Sequence, residues 1–372
     1  MNQVLTNQAD TALVTFEVNK QEIGRTRFAE SVCRLQDIGP GQVLLKVDTF
    51  AFTANNITYA ELGDRLAYWK FFPASAADWG TIPVWGFADV IASNHDSIAV
   101  DERLFGFLPM ATHLVAQPVK VTDNAFVDGT AHRSELPPAY NHYMRVTSDP
   151  DFSPRFEPVQ SLLRPLFITS FLIDDFLAEE NFFGAGSVIL SSASGKTAMG
   201  LAHLLHRHGR VKVIGLTSEG NRAFVEGLGI YDLVVTYDRL ASLPSEETAV
   251  YVDFAGSGEL RRAIHEQYGD NLKYSCAVGM SHRQGNPPGK GLPGPKPVFF
   301  FAPDRIVKRN KDWGRGGIDM RLGNAWRDFL PAAESWLTIV HGSGRESVEA
   351  VYRATLDGRV KPSEGHVLSL WE

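Results

Sequence analysis

Cysteine is scarce in this sequence: Cys33 and Cys276 are the only two in 372 residues. Two thiols this far apart build neither a disulfide framework nor a four-thiolate zinc site, which predicts a protein of a reducing cytoplasm. A surplus of positive charge is missing as well. The formal charge of −7 argues against nucleic acid or an anionic membrane as the main partner. No stretch reaches the roughly 18 apolar residues of a membrane helix. The opening residues, MNQVLTNQADTALVTFEVNK, lack a basic segment ahead of an apolar core, so no export signal is expected. What remains is a chain with 44% hydrophobic and 21% charged residues, the balance of a soluble globular protein acting on a small molecule. Its length exceeds one ordinary core and predicts two domains.

The stretch that organises the rest is Ser187 to Gly200, SVILSSASGKTAMG. Val188, Ile189 and Leu190 form the apolar run of a parallel strand buried on both faces. Ser191 to Gly195 then strip the backbone of bulk, and Ala198, Leu201, Ala202, Leu204 and Leu205 recur at helical spacing. The first N–H groups of that helix would face the turn and offer a site to a phosphate. Gly195-Lys196-Thr197 has the letters that end a triphosphate-binding loop. That loop also needs a glycine five positions before Gly195, where Leu190 stands. Dinucleotide folds ask instead for small residues at steps of three, which Ser192, Gly195 and Ala198 supply. In such folds an acidic side chain at the end of the second strand suits NAD. Here the strand VKVIGL ends in Thr217 and Ser218, with Glu219 next and Arg222 close behind. Hydroxyls and a guanidinium suit the extra phosphate of NADPH, which is the expected cofactor.

Before this stretch, residues 12 to about 126 read as short strands separated by Gly, Pro and Asp, a small barrel-like set. A polar, proline-bearing passage from 128 to 158, carrying Tyr140, His142 and Tyr143, reads as an inserted cap. An apolar helix, LLRPLFITSFLIDDFLAEENFF, leads into repeated βα units, and these predict a doubly wound parallel sheet that binds ligands at the carboxyl ends of its strands. The expected divisions are 1–160 for a β-rich catalytic domain, 161–310 for a Rossmann domain and 311–372 for a return to the first.

The order of these features resembles the medium-chain dehydrogenase/reductases, and within them the zinc-independent quinone-oxidoreductase-like group. QVLLKVDTFAFTANNIT is similar to the family's active-site strand and loop, IPVWGFADVIAS to its glycine-bearing strand, and VDERLFGF to its Gly-Asp-Arg-Val turn. SVILSSASGKTAMGLAHLL stands where the family has Ala-x-x-Gly-x-x-Gly, while VDFAGSG and AVGMSH resemble the strands on the nicotinamide side. The resemblance implies a GroES-like catalytic domain, a Rossmann domain and, as the family's common form, a homodimer. Where zinc-dependent members carry a Cys and a Gly-His-Glu, this chain has FTANN and Gly86-Phe87-Ala88-Asp89, so no catalytic zinc is expected. His203 and His206, one helical turn apart, read as the end of a helix rather than as metal ligands.

Without a metal, a hydride from NADPH can reduce the C=C bond of an α,β-unsaturated carbonyl or quinone if a donor steadies the enolate oxygen and a proton follows. Tyrosine suits both tasks. Tyr59 lies in the loop that matches the family's active-site loop, with Asn55 as an amide donor; Tyr68 comes next, and Tyr140 and Tyr143 would reach in from the cap. The expected cofactor contacts are Ser192, Ser194, Gly195, Lys196 and Thr197 at the pyrophosphate, and Thr217, Ser218 and Arg222 at the 2′-phosphate. Val278, Gly279 and Met280 would line the nicotinamide. The basic run Arg305, Lys308, Arg309 and Lys311 is a further anion-binding candidate. Carbonyl/alcohol interconversion and a non-catalytic NADPH-binding sensor are the competing readings.

Overall fold

The computed structural model describes residues 11–33, 38–148, 152–278, 291–314 and 316–372. Chain contacts divide it into two units, Met1–Leu162 with Thr338–Glu372, and Leu163–Leu337. The first begins with β1 (Thr11–Asn19), β2 (Thr26–Cys33) and β3 (Val43–Phe52), then α1 (Ala54–Glu61), β4 (Trp79–Gly80) and β5 (Pro83–Ser93). It continues through β6 (Arg103–Pro109), β7 (His113–Ala116), β8 (Pro118–Val119), β9 (Ala125–Asp128) and β10 (His142–Arg145). The division between units falls within α2 (Glu157–Glu179).

The second unit contains β11 (Ser187–Leu190), α3 (Lys196–His208), β12 (Lys212–Thr217), α4 (Arg222–Gly227) and β13 (Leu233–Thr236). After these come β14 (Ala249–Asp253), α5 (Gly258–Tyr268), β15 (Leu272–Ala277), β16 (Val298–Phe299), α6 (Ala302–Trp313) and α7 (Gly317–Trp336). The chain closes in the first unit with β17 (Thr338–Ser343), α8 (Gly344–Leu356) and β18 (Glu364–Ser369).

In the second unit the strands lie in the order β13-β12-β11-β14-β15-β16 and all pair in parallel. This is the doubly wound sheet the βα alternation predicts. Its central strand is buried along its whole length, as a strand covered by helices on both faces must be. Chain order reverses between β11 and β14, the switch point at which such sheets open a crevice for ligands.

The first unit is antiparallel wherever its own β-hairpins form it. Its larger sheet runs β17-β18-β3-β5-β6-β10-β9-β8, with β7 also on β3, and β2-β1-β4 form a smaller one. Close approach of β3 and β5 depends on Gly86: a Cβ there would lie 2.1 Å from the Thr49 carbonyl oxygen. A single added methyl would push the two strands apart.

Two expectations are corrected. The passage 128–158 is not a cap laid over the domain, because β10 is hydrogen-bonded between β6 and β9 as a strand of the sheet. It is held by Arg133, which is 1% exposed. Its guanidinium donates to Asp128 (2.7 Å), Asn141 (2.9 Å) and the Tyr140 carbonyl (2.8 Å). A buried guanidinium survives only when its donors are satisfied in this way. The return to the first unit comes at Thr338 rather than at 311, because α6 and α7 pack on α2 inside the second unit. Phe167 stacks on Phe329 of α7, with ring centroids 4.5 Å apart. After α7 ends at Trp336, Thr338–Ser343 forms a parallel strand on β18.

Candidate functional site

The strand, turn and helix over 187–208 form as the sequence predicts. Gly195 is the N-cap of α3 in extended conformation and makes no side-chain cap, so no side chain of the cap stands between the helix N-terminus and the turn. The turn is tight: Gly195 N–H donates to the Ser192 carbonyl at 2.7 Å, and a Cβ on Gly195 would stand 3.0 Å from that oxygen. Ser192 adopts the left-handed region, with φ 49°. Its N–H donates to the hydroxyl of Tyr237 at 3.0 Å. Tyr231 donates to the Ala193 carbonyl at 2.8 Å, and Ser170 to that of Thr197 at 2.7 Å. Ser194 is tied to the loop after β12 by Asn221, whose Nδ2 donates to its hydroxyl at 3.2 Å. Lys196 is half-buried at the first helical position.

At the end of β12 the three expected 2′-phosphate residues differ in exposure. Ser218 is exposed, and Arg222 is half-exposed with a 2.8 Å ion pair to Glu226. That pair holds the guanidinium above its ordinary range, first through the hydrogen bond to Glu226. A surface pair of this kind is worth little and exchanges readily for a phosphate. Thr217, by contrast, is 1% exposed; its hydroxyl is turned into the protein and is not offered to a ligand. Val278 is half-buried, with its N–H on the Asp253 carbonyl at 2.9 Å. Gly279 and Met280 lie outside the described residues.

In the first unit, α1 starts with a capping box: Thr53 accepts from the Asn55 amide while Asn56 accepts from the Thr53 amide. Asn56 also donates to the Pro83 carbonyl at 2.9 Å and is buried, which leaves Asn55 half-exposed on the face it shares with Tyr59 one turn later. Tyr59 packs against Tyr68 with ring centroids 4.3 Å apart, and the Tyr68 and Tyr140 hydroxyls meet at 3.2 Å. Phe71, Trp85 and Phe107 wall the group in, with Phe107 4.7 Å from Tyr140. Burial pushes the Tyr59 hydroxyl well above the ordinary phenol range; the neighbouring Tyr140 adds to this, and Trp85 and Asn55 oppose it. Burial likewise raises Tyr68 and Tyr140, and each is raised further by a phenol beside it. All three are therefore neutral hydrogen-bond donors at ordinary pH.

Tyr143 does not join them. It is fully buried, donates to the Phe107 carbonyl at 2.6 Å and accepts from Arg133 at 3.1 Å. Its hydroxyl is committed to the fold. The basic run is also spoken for: Arg305 and Arg309 pair with Asp175 and Glu179, and Lys308 pairs with Glu179 and Asp312. It pins α6 to α2 and offers no anion site through these three residues. Among the described residues, no three His, Cys, Asp or Glu side chains converge on a metal position. His203 is buried against Phe329 and Trp336, while His208 pairs with Asp174 at 2.9 Å.

Some residues escape sequence reasoning. Tyr237 and Asn221 bear on the turn from 45 and 27 residues away, and no local pattern marks them. Asp253 and Arg261 form a buried ion pair at 2.6 Å under the same turn; the string VDFAGSG was a signal for the strand end, not for its partner.

The fold is similar to that of several solved structures. TarJ from S. aureus, solved with NADPH, superposes with a TM-score of 0.58 at 10% identity, over 96% of this chain and 99% of that one. CurA from Vibrio vulnificus, also solved with NADPH, gives 0.60 at 12% identity, over 95% and 98%. A mutant form of the enoyl thioester reductase from Candida tropicalis gives 0.60 at 10% identity, over 96% and 99%. At such identities the likeness is one of fold, and the expected fold is borne out: a Rossmann unit and a separate antiparallel GroES-like unit. No curated protein matches the sequence. One family model spans residues 50–361, and the chain belongs to that family, described as a protein of unknown function (DUF2855).

Proposed function

We propose that this protein is a cytoplasmic, zinc-independent, NADPH-dependent oxidoreductase that reduces the C=C bond of an α,β-unsaturated carbonyl or a quinone. The observation that carries the reading is the uncapped, small-residue turn Ser192–Thr197 at the switch point of a β13-β12-β11-β14-β15-β16 sheet. The turn suits a pyrophosphate: a helix N-terminus opens at it, and its small residues keep side-chain bulk away from the backbone. Similar folds solved with NADPH add support.

NADPH, when bound, supplies the hydride. The start of α3 at Lys196 and Thr197 holds the pyrophosphate, with the Gly195 turn and the Ser192 and Ser194 hydroxyls beside it. Ser218 and Arg222 take the 2′-phosphate, Arg222 by exchanging Glu226 for it, and Val278 lies toward the nicotinamide. In the first unit, Asn55 with Tyr59, Tyr68 and Tyr140 provides the donors for a developing enolate oxygen. A buried neutral phenol steadies such an oxygen by a hydrogen bond that strengthens as charge develops. The Tyr68–Tyr140 pair holds one phenolic proton between two oxygens and leaves the other to be given away.

A homodimer belongs to the same reading. It is supported by the edge strand β16, which among the described residues pairs with β15, and whose Val298 and Phe299 are each 47% exposed. The deciding experiment measures NADPH and NADH binding, then NADPH oxidation with cyclohexenone and benzoquinone as probes. Micromolar NADPH binding with turnover of either probe supports the reading; binding of ATP in place of NADPH ends it. Binding without turnover of any enone, quinone or ketone would favour the sensor.

A further inference from the structure

We infer that Ser191, acting with Asp253 and Arg261, is a positioning residue that couples the cofactor turn to the loop leaving β14; the inference rests on the NADPH reading above. Ser191 follows β11 directly and Asp253 ends β14, so the two stand on either side of the switch point. Both are 0% exposed, and Arg261 is 8% exposed. The Ser191 hydroxyl donates to Asp253 Oδ1 at 3.0 Å and accepts from the amides of Phe254 and Ala255 at 2.9 and 3.0 Å. Its capacity is then full: one proton given, two lone pairs taken. Asp253 Oδ1 also accepts from the Gly256 amide at 2.9 Å, while Oδ2 accepts from Arg261 Nε and Nη2 at 2.9 and 2.6 Å.

This arrangement has a directional consequence. Ser191 precedes Ser192, where the turn enters its left-handed residue, and its own N–H is fixed to the Val252 carbonyl at 3.2 Å. The Phe254 and Ala255 amides are thus held by a buried hydroxyl on the residue that leads into the turn, and the Gly256 amide by the carboxylate that hydroxyl bonds. Arg261, reaching back from α5, places its charge against the carboxylate and fixes Oδ2 with two donors. Removing the hydroxyl strands two amides and shortens the partner set of a buried carboxylate. A buried network of this kind is costly when partly satisfied, so the two loops would relax together.

The test compares the wild type with Ser191→Ala and Ser191→Thr, using the full chain. We expect Ser191→Ala to weaken NADPH binding about tenfold and to raise KM for NADPH alike, with kcat within about twofold. We expect Ser191→Thr, which keeps the hydroxyl, to recover most of the loss. Amide hydrogen exchange without cofactor should quicken in residues 192–197 and 254–256 together in Ser191→Ala. Exchange that quickens at 254–255 alone, or NADPH affinity within twofold of wild type, would overturn the coupling. If Ser191→Ala does not fold, Ser191→Cys, of similar volume but weaker hydrogen bonding, carries the same comparison. If the wild type fails to bind NADPH, the functional reading falls, and hydrogen exchange still judges the coupling.

Discussion

The Tyr68 and Tyr140 hydroxyls share a hydrogen bond of 3.2 Å, although 72 residues separate them in the chain. In Tyr68→Phe or Tyr140→Phe the remaining phenol loses its partner. We expect kcat for enone reduction to fall about 10²-fold, the lower end for loss of a general acid, with NADPH affinity unchanged. Steady-state kinetics beside a cofactor titration separates the two effects.

The same phenols set the alkaline side of the pH profile. Burial, and then a neighbouring phenol, pushes Tyr59, Tyr68 and Tyr140 above the ordinary range, so the donor form persists through about pH 10, where a free phenol would ionise. The reduction rate should therefore show no loss of a phenolic acid up to about pH 9. A descending limb near neutrality would remove all three as the proton source.

Tyr143→Phe should behave in the opposite way. It leaves the Phe107 carbonyl and the Arg133 guanidinium each one partner short, which costs about 1–3 kcal/mol of stability. Thermal unfolding should report that loss while kcat stays near wild type.

Acid stability provides a further check. Burial, and secondarily Lys46, lowers His113 to about 4; burial, with Arg207 and His206, lowers His203 to about 4. Below the ~6.5 of a free imidazole the unfolded chain takes up protons that the folded chain refuses. Stability should thus decline as pH falls from about 6.5 to about 4. His208, raised by its hydrogen bond to Asp174, has the opposite sign: its contribution is present at low pH and fades as pH rises through its folded value. Denaturant titrations of His203→Phe should show a shallower slope between pH 6.5 and 4 than wild type; an unchanged slope would contradict the assignment.

On the proposed reading, Arg222 sets cofactor selectivity. Arg222→Ala should weaken NADPH about tenfold while leaving NADH within about twofold, as loss of one charge-assisted contact predicts. The effect should shrink as salt rises, because the side chain is solvent-facing. Lys196→Gly tests the neighbouring charge: unchanged NADPH affinity across salt concentrations would rule out a phosphate role.

What the sequence made legible was local. The β11-turn-α3 stretch announces itself through an apolar run, a loss of bulk and a helical repeat, all within about 20 residues, and it folds accordingly. Arg133 was not legible, since a lone arginine in a polar passage reads as surface, and only the packed strands β9 and β10 reveal that it is buried. The basic run on α6 misled for a related reason. Its acids, Asp175 and Glu179, sit some 130 residues earlier, so the cations looked available when they were paired. Thr217 misled through periodicity: a residue at a strand end points to either face, and the pleat put this one inside.

Ser192 keeps a side chain where φ is 49°, a conformation that costs a residue with a β-carbon roughly 1–2 kcal/mol. Glycine would sit there without that penalty. The hydroxymethyl group is therefore a feature retained against local conformational preference, and it makes position 192 a natural starting point for redesign. Exchanging it trades backbone ease against chemistry at the mouth of the turn, without disturbing the buried layer beneath.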